Sequence, residues 1–344
     1  MNMRPFNLRS DLTRGRIGDF ALPLGVEPGI LPAPTQGYTL KFNQADDDGP
    51  DTYSFDVVVS HERLAPLLSE AFEALLPDEV FAIVEVGSRD AYRSTDVFIS
   101  VEPIPVAEFI DSWRAYEPVL LEDGTIGAGA NSEEPYVEVF IDHFKGMFIQ
   151  VPVEMRDRVE DLLHQAGLEE VNETWPETVQ DVPIDVTMVR PVIAGSDGER
   201  DTMDELLFEL RQMWSLDLNI DVERNLDDSG RNLGLTLWYA EALLEHSDDH
   251  NLMTHATIWV TAGSLAQLAK LLEQAIARCG PWRFVDFYTV DRVAHDERPD
   301  ELVNLPPRRK RAEIHLLQVD PPPPPDRQPE RLPPEAPPMD GDAS

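Results

Sequence analysis

Hydrophobic and polar residues alternate over residues 37–44 (GYTLKFNQ) and 52–59 (TYSFDVVV), which predicts two half-buried strands. The stretch between them, Ala45-Asp46-Asp47-Asp48-Gly49-Pro50-Asp51, is turn chemistry, so the pair reads as a hairpin. The period then changes. Leu64, Leu68, Ala71, Phe72 and Leu75 recur at three- and four-residue steps. They predict a helix from about Glu62 to Leu76, capped by Ser60 and ended by Pro77. Strands at 79–86 and 95–101 complete a ββαββ unit.

The same order returns near the other end of the chain. Residues 233–241 and 255–261 alternate as strands, and Leu265, Leu268, Leu272 and Ile276 line one face of a helix over 264–278. Gly280 and Pro281 close that helix, and strands follow at 282–290 and 312–319. A constant offset pairs Leu64 with Leu265, Phe81 with Trp282 and Glu85 with Asp286. A middle segment fits the frame more loosely. It has strands at 136–142 and 146–151 around a turn at 143–145, a helix opening at Pro152 and closing at Gly167, and a strand at 182–190. Further helices are predicted at about 105–116 and 202–213. The recurrence has two readings: duplication of one module, or a shared architecture without common descent.

Clean alternation in Tyr136–Asp142 gives each strand one buried and one wetter face, and tight hairpins make the pairing antiparallel. The expected fold class is therefore α+β. It consists of repeated two-layer α/β sandwich modules of ββαββ type, with mostly antiparallel sheets. The expected boundaries are an extended N-terminal arm at 1–36, modules at 37–102, 103–195 and 196–319, and a Pro-rich tail at 320–344. Pro321 to Pro325 in a row cannot donate to a ladder or a helix, so that tail is expected to be disordered or polyproline II.

Charge narrows the classes of function. Net charge is −37, and Lys41, Lys145, Lys270 and Lys310 are the lysines. Such a surface disfavours direct contact with a phosphate backbone, which needs clustered Lys and Arg. It suits solvation, or attraction of a basic protein. The basic run Arg308–Arg311 reads as self-pairing with the chain's own carboxylates. The lone Cys279 excludes an intrachain disulfide and reads as a small buried hydrophobe. No apolar window is long enough for a membrane span, and residues 1–36 lack the apolar core of a secretory signal. The expected location is cytoplasmic.

Candidate chemistry is sparse. His246, Asp248, Asp249 and His250, with His255 nearby, have donor types that suit a divalent metal. Ser247 stands where a zincin needs its glutamate, however, and a solvated hairpin loop is the competing reading. Asp46–Gly49 and Asn225–Gly230 echo calcium loops but lack the outer acidic ligands. Gly124–Asn131 is glycine-rich but opens no helix, so it reads as a loop joining strands. Glu85, Glu138, Asp142 and Asp286 are acidic residues inside strands. Paired carboxylates there are the candidates for acid–base work, with Glu85 and Asp286 first to inspect because their positions match. No nucleophile elbow or phosphate loop is present.

The expectation is a non-catalytic intracellular protein-binding component, of interaction, regulatory or assembly type. Its strongly acidic surface engages another protein, a basic one by charge, without cofactor, nucleic acid or membrane. The alternative is a metal- or carboxylate-dependent hydrolase.

Overall fold

The structure is a computed structural model that describes residues 6–28, 34–45, 49–175, 189–194 and 202–321. The strand expected at 182–190, the first calcium-like turn at Asp46–Asp48 and the Pro-rich tail lie largely or wholly outside them. The chain divides into two compact units, Met1–Leu233 and Gly234–Ser344.

The first unit begins with an arm carrying a two-residue hairpin, β1 (Arg16–Ile17) and β2 (Phe20–Ala21). Next come β3 (Gly37–Asn43), β4 (Thr52–Val58), α1 (Leu64–Leu75), β5 (Glu79–Gly87) and β6 (Thr95–Ser100). After β7 (Ile104–Pro105) and α2 (Val106–Glu122) follows a meander of β8 (Ile126–Glu133), β9 (Tyr136–Ile141) and β10 (Met147–Pro152). Then come α3 (Arg156–Gln165), α4 (Thr202–Trp214) and β11 (Leu216–Leu218).

These strands form one nine-stranded antiparallel sheet in the order β11-β6-β5-β8-β9-β10-β4-β3, with β7 also on β5. The first two expected modules therefore do not form separate sheets, and β11, from the expected third module, joins the same sheet, so the second unit begins at Gly234 and not at 196. The hairpins β3–β4 and β5–β6 stand apart, and the meander β8-β9-β10 from the second module fills the gap. Two hairpins joined by one helix leave inner edges open, and inserting three strands satisfies those backbone groups.

Helices cover one face. Leu64, Leu67, Leu68, Ala71, Phe72 and Leu75 of α1 are all buried. They share a core with Phe109 and Trp113 of α2, Val159 and Leu163 of α3, and Leu206, Leu210 and Trp214 of α4. Phe72 meets Trp113 edge-on at 5.0 Å, and Trp113 stacks on Trp214 at 6.4 Å, the favoured arrangements for quadrupolar rings. Val84, Ala128, Val139, Ile149 and Phe55 supply the sheet side of that core. Leu76 turns extended before Pro77, as a residue preceding proline must. Ser60 gives no side-chain cap to the turn after it. Its hydroxyl instead accepts from the Ala21 amide at 2.9 Å and tethers the arm.

Gly124–Asn131, expected to be a loop, includes most of β8 at the centre of the sheet. A side chain on Gly129 would sit 2.3 Å from the Val139 carbonyl oxygen, and one on Gly127 would meet the Phe140 ring at 2.7 Å. Glycine is used here for close approach, which composition alone cannot separate from loop chemistry.

The second unit contains β12 (Thr236–His246), β13 (Asp249–Ala262), α5 (Leu265–Ile276), β14 (Trp282–Val293) and β15 (Glu313–Val319). Its sheet runs β14-β12-β13-β15, antiparallel throughout. Leu268, Leu272 and Ile276 of α5 pack on Trp238, Leu244, Ile258 and Val260, and the Ser264 hydroxyl accepts from the Gln267 amide at 3.2 Å as an N-cap. The two ββαββ stretches share element order but not pairing. β5 and β6 bond to each other, whereas β14 and β15 flank the central hairpin on opposite sides. Both units are α+β with antiparallel sheets, as the alternation implied. Cys279 is exposed and not buried, because α5 ends at Ile276 and the thiol falls in the turn beyond. No helix among the described residues is long and apolar enough to cross a membrane.

Candidate functional site

Cross-strand partners lie on the same face of a sheet, so the register of the nine-stranded sheet writes out its helix-free face row by row. The central row is Asp217–Ile99–Ile83–Gly129–Phe140–Phe148–Asp56–Thr39. A second row holds Phe81, Asn131, Glu138, Gln150, Ser54 and Lys41. In a third, Val97 and Glu85 face Gly127, and Asp142 stands one residue beyond the last β8–β9 pair, Ala128 with Ile141. The face thus combines an apolar floor with five carboxylates, those of Asp56, Glu85, Glu138, Asp142 and Asp217. Lys41, at the far edge strand, is the one basic residue in these rows. The bare backbone at Gly127 and Gly129 lets the Phe140 ring lie across β8.

Three of the sequence candidates therefore meet. Glu85 is half-buried, and burial first, then Glu138 and Asp142, push its carboxyl above the ordinary range. Among the described residues, no ion pair or hydrogen bond neutralises it. Glu138 accepts from the Tyr136 hydroxyl at 2.7 Å, and Tyr136 is shifted upward by burial and by that bond. Asp286, the residue paired with Glu85 by sequence offset, stands on β14 in the other unit. It accepts there from the Phe287 amide at 2.7 Å. The offset aligned strands of similar pattern, and pairing topology decided which carboxylates became neighbours.

The central row ends beside a cavity of about 370 Å³. Asp56, Val57 and Val58 of β4, the β9–β10 turn at Asp142, His143, Phe144 and Gly146, Met147 and Phe148 of β10, and Thr174 and Trp175 line it. The turn is knit by its own backbone. The Asp142 amide donates to the Gly146 carbonyl at 2.9 Å, and the Gly146 amide donates to Asp142 Oδ1 at 2.9 Å. Lys145 adopts φ +63° there, and its side chain is buried, donating from Nζ to the Ile126 carbonyl. Burial pushes Lys145 down to about 8 against the pull of Asp123, Asp142 and Glu122. Burial, with Lys145 adding to it, pushes His143 down to about 4. Burial pushes Asp142 up to about 6, opposed by the Gly146 amide and Lys145. At neutral pH the turn therefore holds a carboxylate close to its titration, a neutral imidazole and a sequestered ammonium. The sequence reading treated 143–145 only as a turn. The available signal was a scarce lysine placed in it.

A separate ionic knot fixes the arm. Arg14 binds both carboxylate oxygens of Glu122, one of them at 3.0 Å, while His61 Nε2 stands 3.1 Å away and the Leu24 amide donates at 2.7 Å. Burial alone would raise Glu122, yet these partners together hold it down to about 2.

The histidines of the metal candidate do not converge. His246 meets the Trp282 ring at 5.3 Å and its Nδ1 accepts from the Asp248 amide at 3.2 Å. His250 pairs with Glu245, and His255, farther along β13, meets the Tyr288 ring at 5.6 Å. His255 lies in strand β13 as the alternation predicts, and His250 also belongs to β13 and not to a loop, because the strand extends back to Asp249, which pairs with His246. Among the described residues no group of three His, Cys, Asp or Glu side chains is placed to hold a metal ion. Asn225–Gly230 is an ordinary turn, in which Asp227 accepts from the Ser229 and Arg231 amides at 3.1 and 2.9 Å.

No family model, curated protein or solved structure matches this chain.

Proposed function

We propose that the protein binds a basic partner protein through the helix-free face of its nine-stranded sheet and performs no chemistry on it. One observation carries the reading. Glu85, Glu138 and Asp142 gather beside an apolar floor, and Glu85, which has no ion pair or hydrogen bond among the described residues, is raised by burial first and then by Glu138 and Asp142. Bringing cations to that face relieves the repulsion, while Phe81, Ile99 and Phe148 offer apolar contact. The net charge of −37 would steer such a partner from a distance.

The test is capture of partners by the full chain at about 0.05 M and about 0.5 M salt, where screening lengths differ about threefold. A basic protein should be retained at low salt, lost at high salt, and lost at low salt by the double variant Glu85→Gln, Glu138→Gln. Retention by the double variant at low salt would refute the assignment to this face.

The alternative, a carboxylate- or metal-dependent hydrolase, draws on a different observation: Asp56 and Asp142 line one cavity, and Asp142 titrates near 6. A carboxyl poised there can serve as a general acid or base. Turnover of ester, glycoside or phosphate substrates, abolished by Asp142→Asn, would favour it. The metal branch requires stoichiometric zinc in the purified protein.

A further inference from the structure

We infer that the cavity beside the β9–β10 turn is a receptor for an organic cation, an ammonium or guanidinium group carried on an apolar stem. The inference deepens the partner reading and rests on it for the ligand's source: a basic protein would seat one arginine or lysine side chain here.

The walls select the charge. Asp56 and Asp142 contribute carboxylates to the lining. The Lys145 ammonium of the same turn is buried and donates to the Ile126 carbonyl, so it is not presented to a ligand. His143 carries no charge at neutral pH because burial holds it down to about 4. An anion would therefore meet two carboxylates and, among the described lining residues, no lysine or arginine. A neutral apolar guest would further desolvate the Asp142 carboxylate without supplying a partner, which is costly.

The walls also select the body. Phe144, Phe148 and Trp175 supply rings, and Val58, which packs in a cluster with Trp175, supplies aliphatic surface. Trp175 is braced by Phe20 at 6.1 Å and by Phe144 at 6.3 Å. A hydrated metal ion gains little from such walls, since it needs several oxygen ligands. An organic cation gains from each part. Its charge meets Asp142 or Asp56, its face meets the rings, and its stem meets the aliphatic side. The volume, about 370 Å³, falls at the small end of the range for ligand pockets.

Position ties the cavity to the open face. Phe148 and Asp56 belong both to the cavity wall and to the central row that runs to Ile83 and Ile99. A partner lying along that row would reach the cavity without leaving the sheet.

The experiment titrates the full chain with n-butylguanidinium, using n-butylurea and butyrate as neutral and anionic analogues, followed by calorimetry or ligand-observed NMR. The guanidinium should bind, the analogues at least about tenfold more weakly. Asp142→Asn should weaken it about tenfold, the usual scale for one charge-assisted hydrogen bond. Asp56→Asn provides a second variant should Asp142→Asn fail to fold, and substitution of the exposed Glu273 of α5, Glu273→Gln, is the charge-matched control. Equal binding of guanidinium and butyrate, or wild-type affinity in the folded carboxylate variants, would overturn the inference. Uptake of the guanidinium with no salt-sensitive partner captured would leave the receptor standing and remove the partner reading. A captured partner with no guanidinium uptake would do the reverse. Displacement of a captured partner by n-butylguanidinium would identify the partner's side chain as the occupant, and absence of displacement would point to a free amine.

Discussion

Single residues here are governed by what burial does to charge. Glu122, Asp142 and Lys145 are all withdrawn from water, and they shift differently because their partners differ. Glu122 receives Arg14, His61 and the Leu24 amide and is held down to about 2, whereas Asp142 has fewer donors and rises to about 6. An unfolded glutamate titrates near 4.5, so between about 2 and 4.5 the unfolded chain binds the extra proton. The contribution of Glu122 is thus complete above that window and is lost as pH falls through it. Replacing Glu122 with Gln leaves Arg14 without its carboxylate and should cost about 1–3 kcal/mol at neutral pH. It should also flatten the acid limb of stability between pH 4.5 and 2, read from urea midpoints across that range. None of this was legible in the sequence, where Glu122 is one carboxylate among many and Arg14 lies in an arm expected only to be extended. Glu85, Glu138 and Asp142 were legible as acidic residues in strands. Their meeting was not, because register between β5, β8 and β9 is a long-range outcome.

At the scale of elements, periodicity located the helices well. The face of α1 is buried where three- and four-residue spacing placed it, and that of α5 is buried at Leu268, Leu272 and Ile276 and partly buried at Leu265. The glycine-rich β8 shows the limit of local reading. Its strand state is imposed by neighbours on both sides, β5 and β9, and its glycines serve the Phe140 ring and the Val139 carbonyl. Gly129→Ala should therefore destabilise the first unit by about 1–3 kcal/mol, as overpacking of a full interior does. The measurement is the thermal or urea midpoint. An unchanged midpoint would mean that the strands separate enough to admit a methyl group. The hairpin β12–β13 errs in the opposite direction. The connection from His246 to Thr254 reads as loop because it is mostly polar, yet ladder bonds come from the backbone and extend, with one irregularity after Glu245, to the pair His246 and Asp249.

At the scale of the whole chain, each unit has its own core. The second gathers Trp238, Leu244, Ile258, Val260, Leu268 and Leu272 around one helix and four strands. Residues 234–321 expressed alone should accordingly unfold in one cooperative transition, with dispersed amide resonances before it. A molten spectrum would show that this core needs the rest of the chain. By itself the sequence determined the α+β class, the antiparallel pairing, the positions of the amphipathic helices and the acidic character, because period, turn chemistry and composition are local properties. Only the tertiary structure decided that strands from all three predicted modules share one sheet, that the glycine-rich stretch runs through its centre, and which carboxylates stand together on its open face. Strand order and register are set by closing sheet edges and filling a common core. Those demands couple residues far apart in the chain, and no local pattern records them.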